Sequence, residues 1–214
     1  MVNSDYLKNL NNAQKDAVNY LDGPLLIVAG AGSGKTKVLT SRIANIIQKK
    51  KAFPNQILSV TFTNKAAKEM QTRVSKLLGS TATSLSWLGT FHSICAKLLR
   101  KHASAAGLNS NFTIIDTDDQ IRLIKNICKA ENIDTKQLAP RFILAIIDRW
   151  KNKGYYPNEV IINQKDIYEK TILPVYKIYQ LKLTELNSCD FGDLILHVVK
   201  ILEKNQDIRE IYSK

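Results

Sequence analysis

With 214 residues, 44% of them hydrophobic and 23% charged, and with only five prolines and nine glycines, the chain has the composition of an ordinary folded protein, which excludes a long linker or a low-complexity tail. Its apolar runs are too short to cross a bilayer and MVNSDYLKNLNN lacks a signal-peptide core, so the expectation is a cytoplasmic protein with no membrane partner. A balance of 31 Lys and Arg against 19 Asp and Glu gives a net charge of +12 and favours a polyanionic partner through counterion release. Cys95, Cys128 and Cys189 are odd in number and far apart, so they indicate neither a disulfide framework nor a metal knuckle and read as core residues.

The first segment with chemical content is LNNAQ, Leu10–Gln14. The Gln14 amide offers a donor and an acceptor, the pair that an adenine edge needs, although a glutamine by itself is as readily a solvated surface residue. Next, LLIVAGAGSGKT at Leu25–Thr36 breaks a short apolar run into a glycine-rich turn and opens a helix. Glycines at 30, 32 and 34 let successive backbone N–H groups converge on phosphate oxygens, and the helix N-terminus adds a favourable dipole. Lys35 would reach the β- and γ-phosphates of a nucleoside triphosphate, and Thr36 would place its hydroxyl on magnesium. The first position of GxxxxGK[ST] is Ala29 here. A dinucleotide reading fails, because GxGxxG needs a third glycine at Ser33 or Lys35. The cradle therefore comprises Ala29, Gly30, Ala31, Gly32, Ser33, Gly34, Lys35 and Thr36, with Lys37 beside it.

Strand-like runs at Leu25–Ala29, Ile57–Phe62, Ser84–Gly89 and Phe112–Ile115 alternate with helices at about 35–50, 63–79 and 91–106, the α/β alternation of a parallel sheet. TFTNKAAKEM at Thr61–Met70 runs off a strand into an amphipathic helix, which puts Phe62, Thr63, Asn64 and Lys65 at the carboxyl edge where ligands gather. GTFHS, Gly89–Ser93, makes a similar edge. An aromatic ring at a strand end stacks a base while neighbouring hydroxyls and amides hold phosphates, which makes Phe62 the stacking candidate. The alternatives are core packing for Phe62 and Phe91 and a satisfied structural role for His92.

The pattern changes near residue 117, and strands are expected to stop after Asp116. FTIIDTDD at Phe112–Asp119 looks like a magnesium-binding strand, but Asp116, Thr117 and Asp119 are accounted for as helix caps. The segment from Thr117 to about Asn187 reads as helical: Ile121, Ile124 and Ile127 mark one helix, Pro140 opens a second through Trp150, and Tyr168 to Leu186 mark a third with Pro174 as a kink. Arg141, Arg149, Lys151 and Lys153 read as a solvated face. A last helix begins at Asp190, with Asp193 three residues on, before a charged tail.

Together, LNNAQ, AGAGSGKT, TFTNKAAKEM, GTFHS and DFGDL resemble, in order and spacing, the superfamily 1 DNA helicases of the UvrD, Rep and PcrA type. The resemblance implies an α/β fold, a P-loop NTPase (RecA-like) parallel sheet flanked by helices, with an all-helical inserted subdomain. Residues 1–116 and 188–214 would form an incomplete motor subdomain 1A, and 117–187 a helical subdomain 1B near the duplex ahead of the fork. It implies ATP and Mg2+ as cofactors, with Gln14 reading adenine, Arg42 near the base and phosphates, and Thr36 at the metal. Single-stranded DNA would lie along Phe62, Thr63, Asn64, Thr90, Phe91 and His92, next to a duplex junction. The implied activity is ATP-dependent 3′–5′ unwinding in DNA repair or replication restart. The family's aspartate–glutamate pair and its second motor domain, 2A, would fall beyond Lys214. The expectation is thus an N-terminal part that binds nucleotide and DNA but turns over ATP slowly, the alternative being a truncated, non-catalytic nucleotide- and nucleic-acid-binding module.

Overall fold

Side-chain caps set helix starts along the chain. In the computed structural model, which describes residues 4–79, 85–163 and 166–213, Asn11 Oδ1 accepts from the Gln14 amide N–H at 2.9 Å ahead of α1 (Asn12–Asn19). Gln14 Oε1 accepts from the Asn11 N–H at 3.0 Å and closes a capping box. α2 (Lys35–Gln48) starts from Gly34 in the left-handed conformation. Thr63 caps α3 (Asn64–Leu78) by accepting from the Ala66 N–H at 3.2 Å.

The chain divides into two compact units, residues 1–94 and 95–214. In the first, β1 (Ser59–Thr61) pairs in parallel with β2 (Leu88–Thr90), Ser59 opposite Leu88 and Thr61 opposite Thr90. α4 (Phe91–Lys101) follows β2 directly. Tyr6, Leu10, Val18, Val38 and Ala44 form one apolar cluster, and Ile43, Met70 and Val74 form another between α2 and α3. Each fully buried aliphatic side chain contributes about 1.5–3 kcal/mol, which is what holds short elements such as α1 in place.

In the second unit β3 (Thr113–Ile114) and β4 (Ser188–Cys189) pair in parallel, with α5 (Thr117–Ala130), α6 (Pro140–Asn152) and α7 (Ile167–Glu185) between them in sequence. Ile124, Ile143, Ile147, Ile172, Tyr179 and Leu183 fill the core of these helices, where Trp150 stacks on Tyr176 with centroids 5.8 Å apart. Asp116 caps α5 at 2.9 Å, as expected. Asp190 and Asp193 form the capping box of α8 (Phe191–Lys204), and α9 (Gln206–Ser213) follows.

The fold is therefore mixed α/β, mostly helical with small parallel sheets, and it departs from expectation in four places. Among the described residues, one two-stranded pair forms in each unit where one sheet was expected. Segment 25–29 forms no ladder: Leu26 is 86% and Val28 87% exposed, because an apolar run becomes a strand only through neighbours, and β1 pairs with β2 alone. β4 and α9 were not expected, being too short for a periodic signal. Lys151 is not on a solvated face. It is 3% exposed and ion-paired to Asp190 and Asp193 at 2.6 and 2.7 Å. Ser84, the expected start of the strand that is observed at Leu88–Thr90, lies outside the described residues.

Candidate functional site

Two glycines give the phosphate loop a backbone conformation that other residues rarely adopt. Gly32 and Gly34 have φ of +76° and +86°, in the left-handed region. A Cβ on Gly34 would also stand 3.0 Å from Gln14 Nε2. That nitrogen donates to the Ser33 carbonyl at 2.9 Å, so the Gln14 side chain spans from the start of α1 to the loop. Both ends of its amide are engaged, the oxygen in the capping box and the nitrogen on the loop.

The loop is closed on itself through its lysine. Lys35 Nζ donates to the carbonyls of Ala29 and Gly30, both at 2.6 Å. Ser33 Oγ donates to the same Gly30 carbonyl at 2.7 Å. Ala31 is exposed. Thr36 is exposed and its hydroxyl engages no described residue, which leaves it able to serve as one ligand of an oxygen-liking cation. Lys37 and Arg42 are turned toward α1 and the residues before it: Lys37 Nζ donates to the Asn9 carbonyl at 2.7 Å, and Arg42 Nη1 to the Ala17 carbonyl at 3.0 Å.

A cleft of about 340 Å³ joins the loop to the strand end, lined on one side by Lys35, Thr36 and Leu39 and on the other by Thr61, Phe62, Thr63 and Ala66. Phe62 is 91% exposed, the most exposed aromatic ring among the described residues, and its centroid lies 5.5 Å from that of Phe91. The two rings make a tilted pair at 45°. Asn64 and His92 are exposed beside them in sequence. Thr63 is occupied as the α3 cap. Thr90 is turned inward, 7% exposed, with Oγ1 accepting from the Ser93 N–H at 3.2 Å. The structure thus brings Lys35, Thr36, Phe62 and Thr63 to one cleft, and draws Arg42 and Thr90 into structural contacts. Sequence reasoning missed the Lys35 contacts to Ala29 and Gly30, since backbone carbonyls carry no residue-type signal.

Comparison with known proteins identifies the family. Residues 10–214 match the UvrD/REP helicase N-terminal domain. A probable DNA helicase II homolog of Rickettsia conorii is 46% identical over all of this chain, which covers 33% of that relative. The ATP-dependent DNA helicase PcrA of Staphylococcus epidermidis is 44% identical over 97% of this chain, and that of Bacillus subtilis 43% identical over 100%. The chain spans 28% and 29% of the length of these two relatives. With the family match running from the glutamine segment through the phosphate loop to the last helix, the chain belongs to the UvrD/REP helicase N-terminal domain family.

Proposed function

We propose that the chain is the ATP- and single-stranded-DNA-binding part of an ATP-dependent 3′–5′ DNA helicase that works in the cytoplasm, in DNA repair or replication restart. The observation that carries this reading is the one cleft shared by Lys35 and Thr36 of the phosphate loop and by Phe62 and Thr63 of the strand end. A triphosphate would draw the Lys35 ammonium off the Ala29 and Gly30 carbonyls and let the loop amides from Gly30 to Thr36 turn toward anionic oxygens. Thr36 would take one position of Mg2+, which supplies charge neutralisation across the phosphates when bound. Gln14 would read adenine, flanked by Lys37 and Arg42. Phe62, with Phe91, would stack a base, and Thr63, Asn64 and His92 would line the strand's path toward a duplex junction, with Thr90 behind them holding the Ser93 N–H.

A RecA-like P-loop core belongs to the same reading, with residues 1–116 and 188–214 as motor subdomain 1A and 117–187 as helical subdomain 1B. Two features support it: the exposed apolar residues of segment 25–29 suit a strand within a larger sheet, and the parallel β3–β4 pair closes off the helical segment between them. The relatives are about three times as long as this chain. Closure over ATP takes a second motor domain, 2A, so residues 1–214 assayed apart from one are expected to bind ATP but to hydrolyse it slowly even with single-stranded DNA. Titration of ATP and of adenosine into wild type and Lys35→Ala tests the cradle. The substitution is expected to weaken ATP by about tenfold or more and leave adenosine nearly unchanged, since a charge-assisted contact to phosphate is worth roughly 1.5–3 kcal/mol. Equal losses for both ligands would refute the assignment.

A further inference from the structure

α1 is only eight residues long, too short to be stable by itself, so contacts from elsewhere decide where it lies. α2 supplies them at one end and the loop before α2 at the other. The carbonyls of Ala17 and Val18, left without helical partners at the end of α1, accept from Arg42 Nη1 at 3.0 Å and from Asn45 Nδ2 at 2.9 Å. Asn45 is fully buried, and its Oδ1 accepts from the hydroxyl of Tyr6, itself 7% exposed, at 2.9 Å. At the other end of α1, Gln14 Nε2 reaches the Ser33 carbonyl of the phosphate loop. Gln14 and Val18 are four residues apart, one turn along the same face, so a slide of α1 at Val18 moves Gln14 by the same amount.

We propose that Asn45 and Tyr6 are positioning residues for nucleotide binding: their buried hydrogen bonds fix α1 along α2 and thereby hold Gln14 against the phosphate loop. The inference rests on the nucleotide reading above and adds a route by which two residues outside the cleft set its shape. Gln14 is held at both ends of its amide, the oxygen by the Asn11 N–H and the nitrogen on the Ser33 carbonyl. Asn45 in turn has both ends of its amide committed, and a buried amide so satisfied tolerates little displacement of either partner.

The test is a double-mutant cycle on the full chain, read by titration of a fluorescent ATP analogue. The arms are wild type, Gln14→Ala, the pair Tyr6→Phe with Asn45→Leu, and all three together. Replacing both partners of the Tyr6–Asn45 bond with apolar residues of similar shape limits the loss there, the Val18 carbonyl losing its donor, and circular dichroism at the assay temperature verifies folding. The pair is expected to weaken binding about fivefold, Gln14→Ala by a similar factor, and the triple variant no more than Gln14→Ala alone, because both lesions break one chain of contacts. Losses that multiply in the triple variant overturn the proposal, as does a pair that binds like wild type. If the pair does not fold, Tyr6→Phe alone takes its place in the same cycle, with an expected loss of about twofold and the same requirement of non-additivity. A wild-type chain that binds no nucleotide overturns the nucleotide reading itself, whereas wild-type binding with independent losses overturns only the positioning role.

Discussion

Gly34 and Gly30 sit four residues apart in one loop and answer to different constraints. Gly34 holds φ +86° and faces Gln14 Nε2, whereas a Cβ on Gly30 would meet nothing within 4 Å. Gly34→Ala is expected to cost about 1–2 kcal/mol of folding stability for the left-handed backbone, more if the Gln14 side chain is displaced. Gly30→Ala should stay within about 0.5 kcal/mol. Urea midpoints of the two variants check this, and equal losses would mean that the loop's conformation is not what the glycine at 34 protects. The motif made these glycines legible, because spacing encodes the demand for converging amides. The Gln14–Ser33 bond was not legible. It joins residues 19 apart through a fold that periodicity does not specify.

Among the elements, α6 and α8 are joined by a charge cluster as buried as any among the described residues. Lys151 reaches Asp190 and Asp193, both side chains essentially inaccessible, while Tyr179 donates to Asp190 at 2.9 Å and Gln180 to Asp193 at 3.1 Å. Gly192 leaves room for the lysine stem, since a Cβ there would stand 3.1 Å from Lys151 Cδ. Burial opposes the Lys151 ammonium, yet Asp193 and Asp190 outweigh it and hold its pKa above 10.5. Burial likewise opposes the Asp193 carboxylate, and Lys151 followed by His197 overrides it and lowers the pKa below 3.8. Lys151→Met is expected to cost about 3–5 kcal/mol by stranding two carboxylates. The signs give a sharper test. In wild type the Asp193 contribution is full above pH 3.8 and is lost as pH falls through its lowered value. Burial also keeps the His197 imidazole below 6.5, so its neutral form favours folding above that pH and the advantage fades as pH falls. Acid therefore weakens the wild type. In Lys151→Met the stranded carboxylates prefer protons, so moderate acid should restore stability; urea midpoints between pH 7 and 4 that fall in parallel for both proteins would exclude a Lys151-compensated pair. A signal for this joint was present, because residues 143, 147 and 151 share the inward face of α6, and a lysine in that series asks for a buried partner.

For the whole molecule, alternation of apolar runs and helices was enough to read a mixed α/β class, and the capping residues placed the starts of α5 and α8 to within a residue or so. Strand pairing was less legible, because β3 and β4 are two residues each and their partners lie far away in sequence. Charge works at the same scale in a different way. The net +12 belongs to the entire chain and attracts any polyanion, while the Phe62–Phe91 pair is a local surface to which the proposed function assigns a base. Salt separates the two contributions. Binding of a labelled oligothymidine should weaken linearly on a log–log plot, with a slope of about −0.7 for each phosphate neutralised. Stacking exchanges no counterions, so Phe62→Ala should lower affinity by about 1–3 kcal/mol at every salt concentration and leave the slope unchanged. Because Phe62 is 91% exposed, the same substitution should leave the urea midpoint nearly where it was. A shallower slope in the variant would instead assign the ring to holding the phosphate contacts in register, and an unchanged affinity would remove it from the strand's path altogether.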